Sequence, residues 1–209
     1  MKRFLIICFS ILTLVINFCS KDTAGPDETE KSEVVFRSIP DTLSWDDVKE
    51  MILKYDFYCK DASWGTGGTD YGNPDGKGFN NDFELQRDSL VIYDKNCGLM
   101  WQQSGSDYYL AYEEADEYIT ELNQVKFAGY DDWRLPTLEE AMSLMEPVRG
   151  EYIYIYPIFD REQGRIWTSD PYYVRHHWIV GFVDGRCGVD GLIRYHISVR
   201  AVRSVQSSG

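Results

Sequence analysis

Gly129-Tyr130-Asp131-Asp132-Trp133-Arg134-Leu135-Pro136-Thr137-Leu138-Glu139-Glu140 carries the chain from an irregular loop into a helix, and the fold is read outward from it. Glycine and paired aspartates open a turn. Trp133 and Leu135 flank Arg134, so in an extended segment both insert on one face while Arg134 and the aspartates tie the loop. Thr137 and Glu140 form a capping box: the hydroxyl accepts from the third helical amide and the glutamate returns a bond to the cap. Leu138, Ala141, Met142 and Met145 make one apolar stripe, and Pro147 stops the helix. The stretch reads as scaffold.

Upstream, residues 107–123 predict a second helix, with Ala111, Ala115, Tyr118, Ile119 and Leu122 inward and Glu113, Glu114, Asp116, Glu117 and Glu121 toward water. A strand over 89–93, a turn at Lys95-Asn96-Cys97-Gly98 and a short strand over 99–101 come before it. Ser44 caps a short amphipathic helix carrying Val48, Met51, Ile52 and Tyr55 on one face. Glycine, asparagine and aspartate dominate 62–81, an irregular loop. Downstream, 152–156 alternates, but Pro157 limits it to an edge or a loop. Residues 165–169 and 177–183 predict strands, the second covered on both faces. In 195–202, Tyr195, Ile197, Val199 and Ala201 alternate with His196, Ser198, Arg200 and Val202, as in a strand with one buried face. Two helices followed by three antiparallel strands give an α+β class without internal repeats.

The chain of 209 residues carries a net charge of −13, which argues against nucleic acid as a partner. Seven arginines and no lysine lie between Arg161 and Arg203 (Arg161, Arg165, Arg175, Arg186, Arg194, Arg200, Arg203), against four acids. Ion pairing with acidic elements elsewhere is the plainer account of them; a cationic patch for an acidic ligand is the sharper one. Residues 1–19 read as a signal peptide: Lys2 and Arg3, a low-polarity run too short to span a bilayer, then Cys19-Ser20-Lys21-Asp22. That ending resembles the start of a bacterial lipoprotein lipidated at Cys19, although Phe18 is bulky for the cleavage position. The expected location is the bacterial outer membrane or cell surface, with a secreted or periplasmic protein as the alternative. Residues 20–38 suit a flexible acidic tether, leaving 39–205 as one domain. Cys8 falls in the discarded segment. Among Cys59, Cys97 and Cys187 the pairing stays open, with Cys59–Cys97 preferred because both flank the same irregular segment.

Three segments together resemble the Lcl C-terminal domain family, named for a bacterial collagen-like surface adhesin. They are Asp94-Lys95-Asn96-Cys97-Gly98-Leu99-Met100-Trp101-Gln102, the stretch quoted first, and the closing set Trp167-Thr168-Ser169 with Pro171-Tyr172, Trp178 to Gly185 and Val199-Arg200-Ala201-Val202-Arg203. The resemblance covers about 88–205. It implies a C-type-lectin-like fold, two helices packed on a twisted, mainly antiparallel sheet whose chain ends meet. Where the family often carries a bridging cysteine pair, Tyr118 and Ala201 stand, and Cys97 replaces its usual threonine. The calcium-lectin signatures Glu-Pro-Asn, Gln-Pro-Asp and Trp-Asn-Asp are absent, so calcium-mediated sugar binding is not expected.

Asn73, Asp75, Gly76 and Asp82 fit places of a calcium loop, but Tyr71 holds its first place, which leaves a solvated turn. His176 and His177 are adjacent and would point to opposite faces of a strand, so they cannot chelate one ion together. Neither metal nor cofactor is expected. No nucleophile, zinc-protease or phosphate-loop motif occurs. The formylglycine-generating enzymes share the lectin-like fold and an Arg-Leu-Pro-Thr segment, but they use a C-terminal cysteine pair where this chain has Cys187 alone. The expected binding segment is 170–186: Tyr172, Tyr173, Arg175, His177 (with His176 beside it) and Arg186. Its aromatic faces can stack on sugars and its arginines can hold acidic groups. The expectation is a non-catalytic, surface-tethered module for a glycan or a surface protein, touching the membrane only through its lipid. An envelope structural protein is the alternative.

Overall fold

The computed structural model describes residues 34–61, 71–190 and 197–205. Its elements run α1 (Trp45–Lys54), β1 (Phe83–Gln86), β2 (Val91–Asp94), β3 (Leu99–Gln102), α2 (Tyr112–Gln124), α3 (Leu138–Ser143), β4 (Arg165–Tyr173), β5 (His176–Gly181), β6 (Arg186–Asp190) and β7 (Val202–Ser204). The class is α+β, with antiparallel sheets ordered β1-β2-β3-β7 and β4-β5-β6. The signal segment and Cys19 lie outside the described residues, as does the tether up to residue 33.

Each helix begins where a side chain satisfies the first free amides. In α1, the Ser44 hydroxyl accepts from Asp47 N–H at 3.2 Å and the Asp47 carboxylate from Ser44 N–H at 2.8 Å. In α3, Thr137 and Glu140 make the expected reciprocal pair, and Leu138, Ala141, Met142 and Met145 are all buried. The helix ends before Pro147, because Met145 pairs with Ile155 instead. The second helix starts at Tyr112 rather than 107. Leu110 N–H is spent on the Ile197 carbonyl at 2.9 Å, and Glu114 caps the Ala111 N–H at 2.7 Å.

Residues 34–38, expected in the tether, join the body. Phe36 is buried against the rings of Tyr55, Phe57 and Phe79, and the Arg37 guanidinium donates to both Asp170 oxygens at 2.7 and 2.8 Å. Phe36 and the α1 face thus enter the main core with Trp101, Leu138, Trp178 and Phe182. Each such buried large side chain contributes about 2 kcal/mol over its exposed state.

The terminal strand differs from its pattern. Ser198 and Arg200 are as buried as Ile197, Val199 and Ala201. Trp167 N–H donates to the Ser198 carbonyl at 3.1 Å and Ser198 N–H to the Arg165 carbonyl at 2.8 Å, so this stretch lies along β4 before β7 joins β3. One segment therefore stitches both sheets, and both its faces are covered. The preferred cysteine pairing is also overturned. Cys97 donates to the Asp94 carboxylate at 3.2 Å, while Cys59 meets Cys187 with the sulfurs 3.8 Å apart.

Candidate functional site

The loop before α3 is clamped on one side and open on the other. Arg134 forks Glu140 with both contacts at 2.6 Å, and its backbone exchanges bonds of 2.9 and 3.0 Å with Val202. Asn123 holds Trp133 through the backbone N–H at 2.8 Å and the carbonyl at 2.9 Å, and the buried indole donates to the Phe127 carbonyl at 3.1 Å. These contacts are scaffold, as the sequence indicated. The preceding residues have a second role: Asp132 forks the Arg203 guanidinium at 2.6 and 3.0 Å, and that guanidinium lies 4.1 Å from the Tyr130 ring centre. Arg87 donates to the Tyr130 hydroxyl at 3.1 Å.

Together with the neighbouring strands, these residues border an open cleft of about 570 Å³ lined by Gln86, Tyr93, Met100, Tyr130, Asp132, Arg203 and Val205. The turn beside it, Arg87-Asp88-Ser89, holds three successive non-glycine residues at φ of 52°, 54° and 69°. That conformation is disfavoured for side chains with a Cβ and tends to gather at functional sites. Among the described residues lining the cleft, Arg203 is the cation and Asp132 balances its charge, while exposed Arg87 stands at the rim on the Tyr130 hydroxyl; the wall thus offers aromatic surface and planar hydrogen-bonding groups.

The residues expected from the sequence do not form one site. Tyr172 packs edge-on against Trp178 and tilted against Trp45, as part of the core margin. Tyr173 and Arg175 are exposed at the β4–β5 turn, with Arg175 at φ 63°. His177 is stacked on Tyr112, ring centres 3.3 Å apart and planes 5° from parallel. Burial pushes the imidazole below its ordinary value and the Tyr112 phenol up to about 12. His176 sets Nδ1 3.0 Å from the Val174 carbonyl. Arg186 sits at the other end of the sheet, opposite Gly181, with its guanidinium 3.6 Å from Asp61. Tyr173 and Arg175 share the β4–β5 turn; His177 lies in β5 against Tyr112, Tyr172 in the core margin and Arg186 at the far end of the sheet.

Ion pairing also accounts for most of the late arginines. Arg161 meets Glu151 at 2.9 Å, Arg165 meets Asp184 at 2.7 Å, and Arg186 and Arg203 are paired as above. Arg200 is fully buried, donating to the Gln102, Gln103 and Asp160 carbonyls and to the Gln163 amide oxygen; burial pulls it down to about 9. Arg194 lies outside the described residues. The Asn73 side chain is spent on the Phe57 carbonyl at 3.2 Å, and among the described residues no group of three or more His, Cys, Asp or Glu could hold a metal ion.

Gln86, Tyr93, Tyr130, Asp132 and Arg203 were not legible as a site. Asp132 and Arg203 both lie in quoted motifs, but they are 71 residues apart and neither spacing nor periodicity connects them.

The family model of the Lcl C-terminal domain matches residues 90–203, from the start of β2 into β7. No curated protein and no solved structure matches the chain.

Proposed function

This chain belongs to the Lcl C-terminal domain family, and from that premise we propose that it is a non-catalytic binding module that takes a neutral glycan in the Tyr93–Tyr130–Arg203 cleft. The cleft carries this reading. Sugar rings present C–H faces that stack on tyrosine, and their hydroxyls bond in pairs to planar groups such as the Gln86 amide and the Asp132 and Arg203 forks. Strongly anionic polymers are disfavoured, because Arg203 is already neutralised by Asp132 and the chain as a whole carries −13. The N-terminal run ending at Cys19 supports export and tethering by a lipid at a bacterial outer membrane or cell surface.

An array of neutral and sulfated glycans, followed by calorimetric titration of the hits, tests this reading. Saturable binding of neutral oligosaccharides, largely insensitive to salt, is the expected result; binding confined to sulfated chains, or none at all, overturns it. A second reading, an envelope protein that docks a protein partner, draws on exposed Tyr173 and Val174 at the β4–β5 turn. Crosslinking through that turn to one stoichiometric protein, without sugar binding, would favour it.

A further inference from the structure

Cys59 and Cys187 are 128 residues apart in sequence, yet both are buried in the main core with their sulfurs 3.8 Å apart. Both strands of backbone that carry them are fixed on either side. Cys59 exchanges bonds of 3.2 and 2.7 Å with Asn73, and the next N–H, that of Lys60, donates to the Gly185 carbonyl at 2.7 Å. Asp61 then bridges Arg186 in parallel sense, immediately before Cys187, which sits in β6 opposite Val180. The two cysteines are therefore brought side by side by secondary structure and not by a chance approach of mobile ends.

We propose that Cys59 and Cys187 close to a disulfide when the chain folds in an oxidising compartment, stapling the segment after α1, which precedes the family domain, to β6. A disulfide sulfur–sulfur bond is about 2.05 Å long, so closure requires an approach of under about 2 Å, within reach of side-chain rotation and a small backbone adjustment. Either sulfur can be the donor in the contact between them, and either thiolate can open the exchange. The oxidant is a protein dithiol in its disulfide form, or a small-molecule disulfide. In the order that starts from Cys59, its thiolate attacks one of the oxidant's sulfurs to give a mixed disulfide and releases the other as a thiolate. The Cys187 thiolate then attacks Cys59 sulfur and expels the oxidant's remaining sulfur. Two thiols lose two protons and two electrons, and the oxidant leaves as two thiols. Both sulfurs are inaccessible in the finished core, so the exchange takes place before the core closes. Cys97 is the thiol left over, because the fold seats it in the β2–β3 turn on the Asp94 carboxylate at 3.2 Å while Cys59 and Cys187 face each other.

The test uses the full chain, expressed with its own N-terminal segment and purified without reductant. It is trapped with acid, unfolded, alkylated and digested for mass spectrometry. The expected result is one linked pair of peptides carrying Cys59 and Cys187, two hydrogens lighter than their sum, with Cys97 alkylated. A second arm, independent of where the chain resides, refolds reduced protein in a glutathione redox buffer. The same pair should close there, and adding reductant should then lower Tm by roughly 10 °C. The double variant C59A/C187A should match the reduced protein in Tm and show no response to reductant, which separates a lost bond from a general loss of fold. Alkylation of both Cys59 and Cys187 in the oxidatively refolded chain, or a link from either to Cys97, overturns the proposal.

Discussion

At the cleft, Arg203 is forked by Asp132 and laid against Tyr130; at the β4–β5 turn, Arg175 stands exposed in a left-handed conformation beside exposed Tyr173. The residue types are the same and the preparation is opposite. Side chains already held in place lose little freedom when a ligand arrives, whereas ordering each flexible one costs about 0.5–1.5 kcal/mol. The cleft is therefore suited to a small, rigid, polyhydroxylated ligand. The turn is suited to contact spread over a larger partner.

The largest expected effect comes from removing the anchor beneath the cleft. Arg134→Ala leaves Glu140 buried without its partner and should cost about 3 kcal/mol of unfolding free energy, read by urea titration. A loss below about 1 kcal/mol would show that the fork does not anchor the loop. Next comes the contrast between the two surfaces. Tyr93→Ala should weaken the binding of a neutral oligosaccharide by about tenfold, and Tyr173→Ala or Arg175→Ala by less than about twofold, in calorimetric titration. The reverse order would move the site to the turn.

The β4–β5 side should instead respond to pH. The pKa of His177 is lower in the folded than in the unfolded chain, chiefly through burial, so the folded state takes up its proton less readily. Its contribution is present in full above the ordinary histidine value of about 6.5 and is lost as the pH falls from there through the lower folded value. His177→Phe keeps a ring against Tyr112 and removes the titration. Between pH 7 and 5 its Tm should fall less than that of the parent chain; equal slopes would exclude the role. The smallest effect is expected beside the cleft, where Ser89→Gly relieves one left-handed residue and should add about 1 kcal/mol to stability. If neutral-oligosaccharide affinity falls as stability rises, the rigidity of that turn contributes to binding.

What could be read from the sequence follows how local the physics is. The α3 cap, its apolar stripe and the clamp role of Arg134 all depend on neighbours within a few residues, and each was visible in the Gly129-to-Glu140 stretch. So was β5, which is buried from Trp178 to Gly181, although His176 and His177 at its start are half-exposed. The strand β1 was not, because Phe83–Gln86 is mostly exposed and its pairing is set by Val91–Asp94, not by its own pattern. In β6, Arg-Cys-Gly-Val-Asp has no alternation to mark a strand. Burial of Ser198 and Arg200 went unforeseen for a related reason: two-residue alternation reports one covered face, and it fails for a segment lying between two sheets. The cleft was least legible of all. Its members come from β1, β2, β3, the loop before α3 and β7, and only the closed sheet brings them together.

The Asp94–Leu99 turn has one more consequence. Val34 N–H donates to the Asn96 carbonyl at 3.2 Å and Val205 N–H to the Gly98 carbonyl at 2.8 Å, so the backbone enters and leaves the body through the same corner. A reporter or a second module joined after Val205 would therefore start beside the segment that begins at Val34.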